Sequence, residues 1–338
     1  MANFATEQTE QTELIKSLRE PAIYPHPVTA VEVLETHISY VLLAGDFAYK
    51  FKKPLDLGFL DYSTLAARKF FCEEELRLNR RLAPHLYLDV VSIYGSSTAP
   101  RFVAVDGEVP IEHAVRMRRF RQEMLFDRLA QSGGLHDEHI DSLAEVIAAF
   151  HRDIPPAGVG TPYGTAAAIE APLRQNFAQL RPLLDTPVEH AELESIEQWS
   201  LREYTRCVEV GIFAARRATG CVRECHGDLH LGNVAWLADT PDTAPRAIPF
   251  DGIEFAANLR WIDVISEVAF IVMDLHARGF ANQANRFLNR WLEQNGDLGF
   301  GGLALLDFYL VYRAMVRAKI ARIRASQSDT CATARQTA

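Results

Sequence analysis

Residues 226–233 read His-Gly-Asp-Leu-His-Leu-Gly-Asn, and they form the densest group of functional side chains in the 338-residue sequence. Gly227 and Gly232 favour a loop here, because glycine permits tight backbone turns. Asp228 can orient a substrate hydroxyl and accept its proton. Asn233 and, beyond an apolar run, Asp251 offer the oxygen ligands that Mg²⁺ prefers. A positioned carboxylate and metal ligands are what phosphoryl transfer requires of a protein.

The same stretch permits a second interpretation. His226, Asp228 and His230 alternate, so on an extended strand their side chains would share one face and could bind Zn²⁺ or Mn²⁺. The two glycines argue against a strand at this point. A metal-dependent hydrolase therefore stays open as an alternative function.

Strands are predicted ahead of this loop and helices around it. Ile38–Leu43 and Phe47–Lys52 flank a Gly turn and predict a hairpin. The other predictions for the first part of the chain are two short helices within residues 1–35, strands at Leu88–Tyr94, Phe102–Val105 and Ala114–Met117, and a helix at Leu65–Leu82. Helical spacing then marks Phe126–Gln131, Asp137–Arg152, Leu173–Leu184, Ala191–Arg217, Asp263–Arg278, Ala281–Gln294 and Leu303–Arg324, with short strands at Val234–Leu237 and Ala247–Phe250.

The resulting prediction is an α+β fold with a β-rich N-lobe at residues 1–116 and a helical C-lobe at residues 117–325. The polar segment 326–338 is expected to be a disordered tail.

The pattern H-G-D-x-H-x-x-N resembles the signature of the aminoglycoside phosphotransferase, choline kinase and fructosamine kinase superfamily, whose members are kinases with a two-lobed, protein-kinase-like fold. The resemblance implies that Asp228 is the catalytic base, that His226 braces the loop, and that Asn233 and Asp251 bind the metal. It also implies ATP or GTP and Mg²⁺ as cofactors. The sequence Asp-Gly-Ile-Glu-Phe from Asp251 departs from the D-F-G motif of protein kinases.

A kinase fold requires a strand lysine for the nucleotide phosphates and a helix glutamate to hold that lysine. Lys50 resembles the lysine of the V-A-I-K strand, and Lys52 on the same strand face is the competing candidate. Glu75 lies on the apolar stripe of the following helix, where a charge needs a partner, and Glu74 is the next choice.

A segment where the two lobes should join, residues 115–120, is expected by resemblance to bind the nucleotide base through its main chain, with Met117 and Arg118 at its centre. The chain contains neither G-x-G-x-x-G nor G-x-x-x-x-G-K-[ST], which argues against a typical protein kinase and against a P-loop enzyme. Residues 42–46 are expected to cover the phosphates instead. Asp263 is a candidate for bracing the catalytic loop.

Four further stretches, Thr36–Val41, Lys52–Asp61, Glu73–Pro84 and Arg260–Asp263, resemble one bacterial subfamily of these kinases. Its members often carry the kinase-like domain ahead of a P-loop ATPase domain. The resemblance runs from about residue 30 to about residue 325, and the ATPase half is expected to be absent here. Association with such a domain or protein is expected as a partner interaction.

The composition argues against several other classes of protein. The net charge of -9 argues against a general nucleic-acid binder. The five cysteines are odd in number and their spacing suggests no disulfide framework, so reduced thiols in the cytoplasm are expected. Neither a secretory signal nor an apolar run of about 20 residues is recognised, so no membrane association is expected.

The predicted function is transfer of a phosphoryl group to a hydroxyl of an unidentified small molecule. A nucleotide-binding regulatory module of kinase fold is the other alternative.

Overall fold

The computed structural model of the chain describes residues 2–58, 60–240 and 242–336, with side chains described for residues 7–58, 60–240, 242–296 and 298–325. The strands are β1 (Val31–Glu35), β2 (Ser39–Ala44), β3 (Phe47–Lys52), β4 (Tyr87–Ser96), β5 (Ala99–Arg101), β6 (Glu112–Arg118), β7 (Val222–Glu224), β8 (Val234–Leu237), β9 (Arg246–Pro249) and β10 (Trp261–Asp263). The α-helices are α1 (Ala2–Ser17), α2 (Leu65–Asn79), α3 (Phe126–Ser132), α4 (Asp137–Asp153), α5 (Ala166–Leu180), α6 (Pro187–Glu209), α7 (Ile212–Ala218), α8 (Ala257–Arg260), α9 (Val264–Ala277), α10 (Ala281–Asn295), α11 (Asp297–Phe300) and α12 (Leu306–Gln336).

The chain folds into two compact units, and none of the three boundaries between them lies at residue 116. The first unit comprises Met1–Leu129 and Ala235–Ala257, and the second comprises Ala130–Val234 and Asn258–Ala338. The first is rich in strands and the second is mainly helical, so the predicted α+β architecture is confirmed. Asp251 belongs to the strand-rich unit, whereas the prediction had assigned residues 117–325 to the helical one.

The first unit is built on a sheet of six described strands in the order β1-β2-β3-β6-β4-β5, and each pairing is antiparallel. The predicted hairpin is β2–β3, with Ala44 paired to Phe47. Gly45 in the turn has a φ of +58°, and a Cβ there would lie 2.5 Å from the Pro27 carbonyl oxygen. Only glycine meets both conditions without strain, which fixes the register of β3.

Apolar residues cover both faces of this sheet because strand side chains alternate in direction. On one face Leu42 packs with Leu14 and Leu18 of α1. On the other face Leu43 packs with Cys72 of α2 and with Ile248 of β9. The hairpin β8–β9 thereby becomes part of the first unit.

The second unit is organised around α9, which is buried at every residue from Val264 to Leu275. A helix that is apolar on all sides belongs in the core of a protein or in a membrane. Here α10 and α12 both pack on α9, and α4 packs on α10. This arrangement places α9 directly behind the loop that carries Asp228, as the hydrogen bonds below show.

One segment, Leu298–Ala325, is long and apolar enough to cross a membrane by length and composition alone, which the sequence analysis had not recognised. Core helices of soluble proteins meet the same criterion. Within this segment Arg313 is buried and donates to the main-chain carbonyls of Ser266 and Gly227. The helix is therefore packed against the helical unit, at least on the side that carries Arg313.

Several element predictions were wrong in informative ways. Val31–Glu35 is an edge strand where a short helix was predicted, and residues 102–105 form no strand. The single predicted helix at Ala191–Arg217 is two helices, because Gly211 takes a φ of +70° and ends the first. Helix α12 continues to Gln336, through most of the segment predicted to be a disordered tail.

Candidate functional site

The loop at residues 226–233 follows the short strand β7, and its polar side chains are held by local hydrogen bonds. Nδ2 of Asn233 lies 3.0 Å from the main-chain oxygen of Asp228 and 3.2 Å from its Oδ2. Nδ1 of His226 accepts the Asp228 N–H at 3.4 Å, and Nδ1 of His230 accepts the Gly232 N–H at 3.1 Å. The predicted base and the predicted metal ligand are thus in direct contact.

The carboxylate of Asp228 has two histidines and an arginine among its neighbours. Its Oδ2 lies 3.6 Å from Nε2 of His230, and the side chain is 37% exposed. Burial raises the pKa of this carboxyl group, but His230, His226 and Arg317 lower it further than burial raises it, so the pKa is well below its ordinary value. Asp228 is therefore ionised at neutral pH and can accept a hydrogen bond from a hydroxyl.

Glu267 of α9 anchors this loop to the helical core. One carboxylate oxygen, Oε1, accepts the main-chain N–H groups of His226 at 2.6 Å and Gly227 at 2.8 Å. The side chain is fully buried. Burial raises the pKa of Glu267, and hydrogen bonds from His151 and from the Gly227 main chain outweigh it, so the pKa is lowered. The ionised carboxylate replaces the water that the two loop N–H groups would otherwise bind.

A buried tryptophan determines which nitrogen of His151 carries the proton. Nε1 of Trp291 lies 3.1 Å from Nδ1 of His151, and Nε2 of His151 lies 2.9 Å from Oε2 of Glu267. An indole N–H can only donate, so Nδ1 is the acceptor and Nε2 carries the hydrogen that is donated to Glu267. The chain of bonds runs from Trp291 through His151 and Glu267 to the catalytic loop.

This assignment also bears on metal binding. Ligand atoms of His151, Cys225 and Glu267 lie within 4.8 Å of one another, and all three residues are buried. However, neither nitrogen of His151 has a free lone pair, so the group is a hydrogen-bonded network. The hydrolytic alternative is weakened as well, because His226 and His230 direct Nδ1 to main-chain N–H groups of their own loop.

Asp263 was a candidate for bracing the catalytic loop, but in the structure its carboxylate bonds to Arg216 and to the start of α9. Its carboxylate forms a bidentate pair with Arg216, at 2.6 and 2.8 Å, and accepts the Ile265 N–H at the start of α9. Both side chains of the pair are about 5% exposed. Asp263 thus caps α9, and Glu267 one turn later holds the loop.

In the first unit, Glu75 of α2 divides its carboxylate between the two candidate lysines of β3. Oε1 lies 2.8 Å from Nζ of Lys50, and Oε2 lies 2.8 Å from Nζ of Lys52. Lys50 is bonded to Asp251 as well. Burial alone would lower the pKa of Lys50, but Asp251 and Glu75 raise it well above its ordinary value. Glu74, the second choice for the helix glutamate, pairs instead with Arg77 on its own helix.

Lys52 has a different set of partners from Lys50. Its side chain is 0% exposed, and it is bonded to Glu254, whose carboxylate also accepts from the hydroxyl of Tyr62. The Lys50 side chain is 11% exposed. Lys52 therefore fixes the segment after Asp251 to the sheet, and Lys50 is the more exposed of the two lysines.

Asp251 is held in an unusual backbone conformation. Its φ is +62°, the one positive value among the described non-glycine residues. Its N–H donates to the hydroxyl of Tyr87 at 3.1 Å, and the next N–H, of Gly252, donates to Oδ1 of Asn79 at 2.8 Å. The side chain is 43% exposed and so can bind a ligand on its open side.

Asn233 in the second unit and Asp251 in the first each offer an oxygen of the kind that binds magnesium. Among the described residues, Oδ1 of Asn233 accepts no hydrogen bond, because both bonds of its amide run through Nδ2. Asp251 has one carboxylate oxygen bonded to Lys50 and an exposed side chain. Both groups supply hard oxygen ligands.

Met117 and Arg118 lie at the end of β6 in the first unit. Met117 is buried and paired with Ala48, and Arg118 is paired with Phe47. The N–H of Arg118 is already donated to the Leu86 carbonyl at 2.9 Å, and the N–H of Arg119 to Asp46 at 2.8 Å. Recognition of the nucleotide base by the main chain of this strand stays a prediction. The N–H of Arg118 is already used in its hydrogen bond to Leu86.

Sequence reasoning named Glu254 and Glu267 as candidates for holding metal or substrate, but it did not identify Arg313 or the partners of these residues. Glu254, Glu267 and Arg313 are charged residues embedded in apolar sequence, and that pattern is the signal for a buried partner. The partners themselves, His151 and Trp291, lie 116 and 140 positions away from Glu267 and His151 respectively. No spacing rule connects residues so far apart.

Comparison with known proteins gives distant relatives along most of the chain. No family model matches it. Three uncharacterized proteins, one from Mycobacterium bovis and two from strains of Mycobacterium tuberculosis, are each 33% identical over 305 residues, or 89% of this chain. The chain spans 57% of the length of these relatives.

Solved structures with a similar arrangement include choline and ethanolamine kinases. A choline/ethanolamine kinase family protein from Mesorhizobium loti is 15% identical with a TM-score of 0.47, covering 96% of this chain and 87% of its own. A choline kinase from Cryptosporidium parvum is 10% identical with a TM-score of 0.49, covering 97% of both chains. An ethanolamine kinase from Plasmodium vivax is 9% identical with a TM-score of 0.47, covering 88% of this chain and 81% of its own. The chain is thus similar along most of its length to mycobacterial proteins of greater length and, more distantly, to small-molecule kinases.

Proposed function

We propose that the chain is a phosphotransferase that moves the terminal phosphoryl group of ATP or GTP to a hydroxyl of a small molecule. The observation that carries the proposal is Lys50, which is bonded at once to Glu75 and to Asp251. The resemblance to aminoglycoside-type kinases assigned these three residues to the nucleotide and its metal before the fold was known. A lysine between a helix glutamate and a metal-binding aspartate is the arrangement that kinase chemistry needs.

In this proposal the residues of the first unit bind the nucleotide. Lys50 contacts phosphate oxygens while Glu75 keeps the ammonium group in place. Asp251 would hold the metal ion, which when bound would neutralise charge on the phosphates. Lys52 and Glu254 keep the segment that carries Asp251 against the sheet. The 11% exposure of Lys50, against 0% for Lys52, supports this division of roles.

The residues of the second unit act on the acceptor. Asp228 accepts a hydrogen bond from the acceptor hydroxyl and takes its proton as the new P–O bond forms, while the P–O bond to the departing nucleoside diphosphate breaks. A carboxylate of lowered pKa is a weak base, so it orients the hydroxyl early and receives the proton late. That timing suits a loose phosphoryl transition state, in which the attacking oxygen carries little positive charge until late. Asn233 holds the carboxylate in position and offers Oδ1 to the metal.

The acceptor and the partner are proposed only by class. The net charge of -9 favours a cationic acceptor such as an amino sugar or aminoglycoside. Because the resemblance is to a subfamily often fused to a P-loop ATPase, we also propose that the chain acts together with such a domain or protein.

The test is nucleotide binding followed by transfer. Thermal unfolding is measured with ATP or GTP, with and without Mg²⁺, and [γ-³²P]ATP is then offered with aminoglycosides, amino sugars, choline and protein hydroxyls. We expect stabilisation that requires both nucleotide and Mg²⁺, and label transfer to one acceptor class. Nucleotide binding without transfer to any acceptor would favour the regulatory module. Absence of nucleotide binding would refute the proposal.

A further inference from the structure

A cavity lies inside the helical unit, and its lining includes neither Asp228 nor Asn233. The space inside it that a water-sized sphere can occupy is about 50 Å³. Helices α5, α9 and α12 and strand β10 supply most of the lining. One water needs about 10–15 Å³ of such space. The cavity therefore has room for several waters or a small ligand, and nothing in the proposed transfer reaction uses it.

Aromatic rings form the walls of the cavity. Tyr163 and Trp261 stack with their centroids 5.3 Å apart and their planes 6° from parallel. Phe308 and Tyr309 meet edge to face at a centroid distance of 5.1 Å. Walls of this kind favour a flat, apolar ligand body, because dispersion and ring stacking both depend on close parallel surfaces.

Arg313 places a buried positive charge at this cavity. It is 4% exposed, and its guanidinium donates to Ser266 O at 3.1 Å, to Gly227 O at 3.1 Å and to Ser266 Oγ at 3.2 Å. A guanidinium has five N–H donors, so two remain after these bonds. Among the described side chains no carboxylate lies within ion-pair distance of it, which is unusual for a buried charge.

The other polar groups at the cavity are also donors. The hydroxyls of Tyr309 and Tyr312 form no hydrogen bond with any described residue, and burial raises the pKa of both, so each keeps its proton. The one carboxylate in the lining, Asp263, is already bonded to Arg216 and to the Ile265 N–H. The cavity thus combines apolar walls with unused donors and a charge of +1.

We propose that this cavity binds a small organic acid with a flat apolar body, such as an aryl carboxylate. Its carboxylate would accept the two unused N–H groups of Arg313 and one tyrosine hydroxyl, while the ring lies along Trp261. Charge-assisted hydrogen bonds of this kind are among the stronger ones in proteins. Since Arg313 also holds the Gly227 carbonyl, the occupant shares a residue with the catalytic loop without touching Asp228.

The first test measures binding to the full chain by isothermal titration calorimetry. Indole-3-acetate and phenylacetate are the acids, and indole-3-acetamide and tryptamine are matched controls with a neutral and a positive head. We expect the acids to bind, the amide to bind at least about tenfold more weakly, and tryptamine not to bind. Binding of tryptamine as tight as that of indole-3-acetate, or no binding of either acid at millimolar concentration, would overturn the proposal.

The second test locates the acid in the cavity. Ala168 of α5 lines the cavity, whereas its neighbour Ala167 is exposed and does not. Ala168→Phe fills the space and should abolish binding of the acid, and Ala167→Phe adds the same ring to the same helix and should leave binding unchanged. Tyr309→Phe removes one donor and should weaken binding severalfold. Equal affinity in Ala168→Phe and Ala167→Phe would place the acid elsewhere and refute the proposal.

Discussion

Asn233 donates its side-chain amide to both the main-chain oxygen and the carboxylate of Asp228, at 3.0 and 3.2 Å. The side chains of these two predicted functional residues are therefore hydrogen-bonded to each other before any ligand binds. Because both bonds use Nδ2, the amide oxygen stays available to a cation. The position of the base and the availability of the metal ligand are set by the same amide group.

Replacing Asp228 by Asn should abolish phosphoryl transfer and preserve nucleotide binding. The amide keeps the size of the side chain but cannot accept the proton, which should lower kcat by about 10²–10⁴-fold. Steady-state transfer assays and nucleotide titrations on the same preparations measure both quantities. Asp242→Asn, at an exposed position, is the matched control and should behave as the wild type. Retained turnover in Asp228→Asn would exclude the proposed mechanism.

Of the two lysines of β3, we expect Lys50 to bind the nucleotide and Lys52 to stabilise the fold. Lys52→Met leaves Glu75 and Glu254 facing each other in the core, and breaking a buried ion pair in this way costs about 3–5 kcal/mol of unfolding free energy. Lys50→Met leaves Glu75 paired with Lys52, so its effect on stability should be smaller and its effect on nucleotide affinity larger. Urea unfolding and nucleotide titration of both variants measure the difference.

Two further variants control this comparison. Lys69→Met removes an exposed lysine of α2 and should change neither property. Lys52→Met combined with Glu254→Gln should recover part of the lost stability, because the carboxylate that was bonded to Lys52 is replaced by a neutral amide. If Lys50→Met is the less stable single variant, the assigned roles of the two lysines are reversed.

Glu267 should dominate the acid sensitivity of the helical unit. Its pKa is lowered in the folded state, so the carboxylate stabilises the fold above the ordinary pKa of 4.5, and this contribution is lost as the pH falls through the lowered value. Glu267→Gln should thus be less stable at neutral pH and lose less stability on acidification below about pH 4.5. Urea unfolding between pH 3 and pH 7 measures this. A parallel loss in both proteins would show that other carboxylates control the acid transition.

The tautomer of His151 can be measured directly. The bond from Trp291 to Nδ1 requires the hydrogen to be on Nε2. Two-bond ¹H–¹⁵N NMR spectra should therefore show a protonated Nε2 and an unprotonated Nδ1 in the wild type. Trp291→Phe removes the donor and should leave a mixture of forms. A protonated Nδ1 in the wild type would contradict the bonding scheme.

Asp251 allows charge and backbone conformation to be separated. Asn tolerates positive φ nearly as well as Asp, so Asp251→Asn should lose Mg²⁺-dependent nucleotide binding with little change in stability. Asp251→Ala loses the same charge and adds about 1–2 kcal/mol of backbone strain. Thermal unfolding of the two variants should therefore differ by this strain alone, while both bind nucleotide weakly. Equal stability would show that the positive φ is not imposed by the surrounding structure.

The sequence predicted those features of the candidate site that depend on neighbouring residues in the chain. Strand β3 was predicted with the observed bounds, and the alternation of Lys50 and Lys52 on one face followed from strand geometry. Glu75 was identified because it is a charge on an apolar helical stripe. These conclusions need only a few neighbouring residues.

Long-range partnerships were not accessible in the same way. The short apolar run Val31–Glu35 forms a strand only because β2 lies beside it, so its own composition could not distinguish strand from helix. The assignment of Asp251 to the first unit follows from packing of β9 on the sheet, which no local pattern reports. Similarly, Glu267 has its role through His151 and Trp291, which come from two other helices.

The first unit is assembled from two separate stretches of chain, Met1–Leu129 and Ala235–Ala257. A fragment ending at Leu129 would lack the β8–β9 hairpin, and with it Ile248 of the core and Glu254, the partner of Lys52. Such a fragment would contain a buried ammonium group that has lost one of its two carboxylate partners, and an exposed apolar surface on its sheet. The first unit therefore cannot be produced as one continuous segment of the chain. Limited proteolysis or truncation between the units should yield insoluble fragments. A soluble first unit would require residues 235–257 to be joined to it through a linker.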